Sequence, residues 1–136
     1  MVKMDMIYEG NLRCRLTHGP SGSEILTDAP VDNMGKGEAF SPTDLLAAAL
    51  GSCMLTVMGI EAQKQNVDLK GTTVHVEKEM VTAPVRRIDK VSIVFKMAKG
   101  IDKSKRALLE QVGLNCPVHK SLSVEVATPT KFEYPD

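Results

Sequence analysis

The 136-residue sequence contains no tryptophan, and its aromatic residues amount to only 4%. Platforms on which bases or sugars stack are therefore not expected. Neither sign of charge is in excess, since 17 Lys and Arg face 17 Asp and Glu. That balance argues against a nucleic-acid or polyanion binder and offers little electrostatic resistance to self-association. Cysteine is scarce: three residues, an odd number, exclude a disulfide framework. The stretch from Met1 to Leu12 has neither an apolar core nor a small-residue cleavage site, so no secretory signal is read there. The longest uncharged run, Leu45 to Ile60, is interrupted by Gly51, Ser52, Thr56 and Gly59 and is short for a membrane span. A cytoplasmic protein with one domain over residues 1–136 is expected, making no use of membrane or nucleic acid. In a reducing cytosol its cysteines are core residues, metal ligands or redox groups. No G-x-S-x-G, phosphate loop or dinucleotide fingerprint is present, and no cofactor is expected.

What is there reads as α+β. Met4–Tyr8, Leu12–Leu16 and Ser23–Thr27 form an N-terminal meander of strands, with Leu12, Cys14 and Leu16 alternating against Arg13 and Arg15. Residues 28–40, with Pro30, Asn33, Gly35 and Gly37, form a loop. Ser41-Pro42-Thr43-Asp44 is the clearest boundary: Ser41 can cap a helix, Pro42 suits its first position, and Asp44 places an acid in its first turn. That helix runs to about Gln65. From Leu45 to Ile60 it has no polar face, and at roughly 24 Å long it needs cover on most sides. A second subunit, in a symmetric homodimer, is the simplest source. Thr72–Thr82 and Ile88–Met97 follow as a hairpin, with Val74, Val76 and Met80 sharing a face, as do Val91, Ile93 and Phe95. Asp102–Leu114 reads as an amphipathic helix with Ala107, Leu108, Gln111 and Val112 inward, ended by Gly113 and Asn115. Pro117–Leu122 is a short helix, and Val124–Tyr134 a last strand broken by Pro129.

Two thiols stand out. Cys116 lies at the N-cap of the short helix, where free N–H groups and the helix dipole favour thiolate over thiol. His119 and Lys120, close behind, act in the same direction. Cys53 sits mid-helix among small apolar residues, a setting that ordinarily means core. Those small neighbours also let another element approach, so a Cys53–Cys116 pair is open to the fold. Cys14, on the apolar side of its strand, reads as core. Cys116 and His119 form one C-x-x-H pair, which is less than a zinc site normally shows, and metal binding is the weaker chemistry. A thiol that reduces peroxides needs a cation to favour the thiolate and polarise the O–O bond. Arg13, Arg15, Arg86 and Arg87 are the candidates, the last two placed to reach across a dimer interface.

The run Phe40-Ser41-Pro42-Thr43-Asp44-Leu45-Leu46-Ala47-Ala48-Ala49-Leu50-Gly51-Ser52-Cys53, followed far downstream by Asn115-Cys116-Pro117-Val118-His119-Lys120-Ser121-Leu122, resembles the family of osmotically inducible protein C and the organic hydroperoxide resistance proteins (the OsmC/Ohr family). The order of elements matches along nearly the whole chain. The resemblance implies antiparallel sheets packed around a long central helix in an intertwined homodimer. It implies a peroxiredoxin-like enzyme that reduces organic hydroperoxides to alcohols in oxidative-stress defence. Cys53 would be the peroxidatic and Cys116 the resolving cysteine, with a lipoyl or thioredoxin-like dithiol as reductant. One position departs from the pattern. The hydroperoxide-resistance branch has a Glu ten residues before its peroxidatic cysteine, paired with an Arg of the N-terminal strands. Thr43 stands there in this chain, and the acid is Asp44. Nine residues along a straight helix put Asp44 about 13 Å from Cys53 and on the opposite side. Asp44 can orient an arginine, Arg13 or Arg15, but cannot partner Cys53 directly. The competing reading is a non-catalytic or small-ligand-binding dimer of the same fold.

Overall fold

The computed structural model describes all 136 residues as two compact units, Met1–Leu46 and Ala47–Asp136. The first unit is the expected meander. Strands β1 (Met4–Gly10), β2 (Arg13–His18) and β3 (Glu24–Asp28) pair antiparallel in that order. The β1–β2 turn needs positive φ at Gly10, Asn11 and Leu12, which pushes Leu12 out of the alternating set and leaves it 46% exposed. The strict inside–outside pattern read for β2 does not hold, because a small sheet buries a face only against a second layer. Every β2 residue from Arg13 to Thr17 is half-buried. Cys14 is accordingly half-buried and free, not a core residue. The loop after β3 contains a single 3₁₀ turn, Val31–Asn33.

Helix α1 covers Pro42–Lys64, starting in the first unit and running through the second. Its start is a reciprocal capping box. The Asp44 N–H donates to Ser41 Oγ (3.0 Å), and the Ser41 N–H donates to Asp44 Oδ2 (2.9 Å). Within the second unit, α1 buries a stripe of Ala47, Leu50, Gly51, Met54, Met58 and Ala62. By length and composition α1 is apolar enough to cross a membrane, although its uncharged run read as too short. The buried stripe lies against a β-sheet, the situation of a core helix.

That sheet comprises β4 (Thr73–Val81), β5 (Arg87–Lys96) and β6 (Thr130–Glu133), in that order. The β4–β5 hairpin is antiparallel and aligns its apolar faces as the alternation predicted; Ile88, Val91, Ile93 and Phe95 are buried. The last strand corrects the all-antiparallel expectation. It is short, from Thr130 to Glu133, and pairs parallel to β5. A parallel neighbour requires a crossover, which two helices supply: α2 (Lys103–Leu114) and α3 (Pro117–Ser121). Phe95 and Phe132 stack across the parallel pair with centroids 4.8 Å apart.

Two glycines set how closely these layers meet. A Cβ on Gly51 would lie 2.8 Å from Val76 Cγ2 and 3.2 Å from Val74 Cγ1, so α1 rests on β4 with no room for a methyl group. A Cβ on Gly113 would lie 2.8 Å from Met58 Sδ. Gly113 therefore does not end α2. It is a buried helical residue at the contact with α1. The inward stripe of α2 is also turned from the one read in sequence. Leu109 and Gly113 are buried, whereas Ala107, Leu108 and Gln111 are exposed. The adjacent pair Leu108-Leu109 fits either phase, and the packing against Met58 selects one.

Gly51→Ala is expected to lower unfolding free energy by about 1–3 kcal/mol, the usual range for overpacking a filled core. Gly113→Ala should cost less, because the flexible Met58 thioether can move aside. Urea denaturation of the two variants checks the order.

Candidate active site

The second unit brings Cys53 and Cys116 together. Cys53 projects from the middle of α1, half-buried between buried Met54 and exposed Ser52, and packs on the core cluster that includes Cys116. Cys116 is 1% exposed, and the Cys53 sulfur is near enough to help hold the proton on the Cys116 thiol. Both cysteines are free. The contact follows from the chain. Gly113 lets the end of α2 close on Met58 and the Met54 carbonyl. The Asn115 N–H then caps α2 on Val112 O (3.2 Å), and the Cys116 N–H donates to Gly113 O (3.2 Å). Pro117 opens α3, making Cys116 its N-cap. Gly113 is thus the residue that sequence reasoning mistook. The available signal was its place one helical turn before Cys116-Pro117.

Capping is as expected, but its electrostatic result is not. The His119 N–H donates to Cys116 Sγ at 3.4 Å, which favours the thiolate. Burial acts the other way and is larger; together with the Cys53 sulfur it pushes the Cys116 thiol above its ordinary value. The imidazole of His119 is engaged away from the Cys116 sulfur. Its Nε2 is 3.0 Å from Thr128 Oγ1, and its Nδ1 is buried with no hydrogen-bond partner. Lys120 is exposed.

The remaining candidates lie outside this thiol pair. In the first unit, Arg13 is ion-paired to Glu38 and lies 3.6 Å from Asp28, while Arg15 bridges Glu9 (3.1 Å) and Glu24 (2.9 Å). Asp44 holds the start of α1 through Ser41, and Thr43 Oγ1 lies 3.1 Å from Ser41 Oγ. In the second unit, Arg87 donates to Ile88 O (3.0 Å) and pairs with Asp89 (3.4 Å) and Glu125 (3.9 Å); Arg86 is half-buried. No three His, Cys, Asp or Glu side chains converge as a metal site requires.

The family model for OsmC-like proteins matches residues 35–130, which includes both cysteines and all of α1. The chain belongs to the OsmC-like family. Its fold is that of solved OsmC-like structures. A protein of Psychrobacter arcticus, provisionally described as osmotic-stress-induced and as a detoxification response protein, is 43% identical over 98% of this chain and 96% of its own, with a TM-score of 0.92. An organic hydroperoxide resistance protein of Legionella pneumophila, also described as a redox protein, is 15% identical over 98% and 96%, with a TM-score of 0.78. The organic hydroperoxide resistance protein OhrB of Bacillus subtilis is 17% identical over 98% of both chains, with a TM-score of 0.71. At such identities the last two establish the fold alone. None of the curated proteins matches in sequence. This OsmC-like chain thus has the mixed α+β architecture, with two sheets and helices, that its motifs implied.

The raised Cys116 value has a consequence for stability. The folded chain holds that proton more tightly than the unfolded chain does. Its contribution is therefore complete below the ordinary thiol range and is lost as pH rises through the folded value. Melting curves from neutral to alkaline pH should show a decline above the ordinary thiol range that is shallower in Cys116→Ala; an equal slope in both proteins would contradict the assignment.

Proposed function

We propose that this OsmC-like protein is a thiol-dependent peroxidase that reduces organic hydroperoxides to alcohols through Cys53 and Cys116. The observation that carries the reading is that two thiols far apart in sequence share one core cluster, one buried and one half-buried, close enough for the Cys53 sulfur to act on the Cys116 thiol. The half-buried thiol is the one a substrate can reach, so Cys53 is the nucleophile. Its thiolate attacks the terminal oxygen of the hydroperoxide. The O–O bond breaks, the alkoxide takes a proton and leaves as the alcohol, and Cys53 is left as a sulfenic acid. Cys116 then attacks that sulfur; hydroxide leaves and is protonated to water, and a disulfide forms. A dithiol of the lipoyl or thioredoxin class returns both cysteines to thiols. Burial of Cys116 suits a resolving thiol, which needs no access to solvent. Leu, Met and Val residues along α1 favour apolar peroxides over hydrogen peroxide.

The active form in this reading is a homodimer in the cytoplasm, with residues 1–136 acting as one OsmC-like domain. Along α1, Leu46, Ala49, Ser52, Thr56 and Ile60 are exposed, and none is charged. In the first unit, Met4, Met6, Ile7 and Tyr8 are each more than half exposed. Apolar area of this kind is normally covered, and a second copy covers both sets symmetrically.

Cys53→Ser is expected to abolish consumption of cumene hydroperoxide with a dithiol reductant. Cys116→Ser should still turn over once and accumulate a sulfenic acid that dimedone traps at Cys53. Full activity in Cys53→Ser would refute the assignment. Sedimentation should give twice the chain mass of 14.8 kDa; a species at the chain mass itself would remove the dimer.

A further inference from the structure

Helix α2 leads directly to Cys116, and three contacts from different elements hold it in place. Near its start, Lys105 Nζ donates to Gln65 O, just past the end of α1 (2.7 Å). Near its end, Gly113 meets Met58 of α1. The third contact comes from residues 134–136, which follow β6. That strand is itself fixed: Phe132 stacks on Phe95, and the Met97 N–H donates to Glu133 O (2.8 Å). The segment therefore leaves the sheet from a defined point.

Arg106 and Glu110 lie one turn apart on α2, which puts them on one face, and both engage that segment. The Arg106 guanidinium lies 4.1 Å over the Tyr134 ring and pairs with Asp136. It also donates to Ile101 O through Nε (3.1 Å) and Nη2 (3.0 Å), which braces it against the loop before α2. The Tyr134 hydroxyl donates to Glu110 Oε1 at 2.9 Å, and both residues are half-buried. Burial, and then the Glu110 carboxylate, hold the Tyr134 phenol above its ordinary range, so that hydroxyl stays a donor. A hydrogen bond to a charged acceptor in such a setting is stronger than a solvated ion pair. Residues 134–136 thus clasp the middle of α2 to the sheet, on the stretch of helix that runs into Cys116.

Resting on the peroxidase reading above, we propose that Tyr134 and Glu110, braced by Arg106, are positioning residues for the resolving step. Their clasp keeps the end of α2 seated on α1 and Cys116 at hand for Cys53, so that the Cys53 sulfenic acid closes to a disulfide before a second hydroperoxide reaches it. The competing step is oxygen transfer from that second hydroperoxide: its O–O bond breaks, a further S–O bond forms, the alcohol leaves, and Cys53 becomes a sulfinic acid. The longer the sulfenic acid waits for Cys116, the larger the share that takes this route.

Two measurements on the full chain test this. The first is the rate at which iodoacetamide alkylates Cys116 in the reduced protein at fixed pH, resolved by peptide mass, which needs no peroxide chemistry. Tyr134→Phe and Glu110→Ala should each speed it about fivefold or more, the effect of losing one hydrogen bond. The double variant should go no further than either alone, and Glu110→Gln, which keeps an acceptor oxygen, should stay close to wild type. Wild type brought to the variants' unfolding free energy with dilute urea should keep its own slow rate; a rate equal to theirs would mean that they act through global stability and would overturn the proposal. The second measurement is the cumene hydroperoxide concentration that converts half of Cys53 to sulfinic acid with a dithiol reductant present. It should fall severalfold in Tyr134→Phe and Glu110→Ala and hold in Glu110→Gln. An unchanged Cys116 alkylation rate, or a faster one with unchanged over-oxidation, overturns the proposal. A wild type that yields neither disulfide nor sulfinic acid is a separate result, refuting the peroxidase reading on which the resolving role rests.

Discussion

Helix α1 carries no charge between Asp44 and Glu61, and no face of that stretch is suited to water. Much of the second unit answers this constraint. Ala47, Leu50, Gly51, Met54, Met58 and Ala62 are covered by the sheet and by α2. Glycine at position 51 brings α1 onto β4, and glycine at 113 brings α2 onto α1. The same closeness gives Cys53 a neighbour. Met58 can yield to a methyl group at 113, but a side chain much larger than alanine would also meet the Met54 carbonyl and hold the end of α2, and Cys116 with it, away from α1. Packing and the proposed chemistry therefore depend on the same contact.

In the peroxidase reading proposed above, the two thiols divide the work by burial. Cys116 is held by capping, by its place after α2 and by exclusion of water, and exclusion of water keeps its proton on. Such a thiol is a poor first nucleophile and an adequate second one, since it acts only after its neighbour has become electrophilic. Cys53 is less enclosed and is, in the same reading, the one that meets a substrate. That order reverses what local sequence favours, where the N-cap cysteine looks reactive and the mid-helix cysteine looks inert.

Where short-range physics decides, the fold was legible in the sequence. The Ser41–Asp44 cap, the β4–β5 alternation and the Cys116-Pro117 helix start each depend on residues within a few positions of one another, and each appears as read. The motifs around Cys53 and Cys116 indicated the OsmC-like family, which the family match bears out. Features set by long-range packing were not legible. The parallel pairing of β6, the rotation of α2 that buries Leu109 over Leu108, and the helical role of Gly113 all depend on what another element presents. Cys14 was read as core from alternation, yet alternation names the faces of a strand without saying whether a second layer covers one. The acids around Arg13 were likewise invisible, because Asp28 and Glu38 are brought to it by pairing and loop closure.

The proposed function requires that Cys53 and Cys116 form one redox pair. Intact mass of the reduced protein after one equivalent of cumene hydroperoxide tests it most directly. A loss of two hydrogens is expected, with the new disulfide mapping to Cys53 and Cys116 and absent when either is serine. An unchanged mass with all three thiols still free would contradict it.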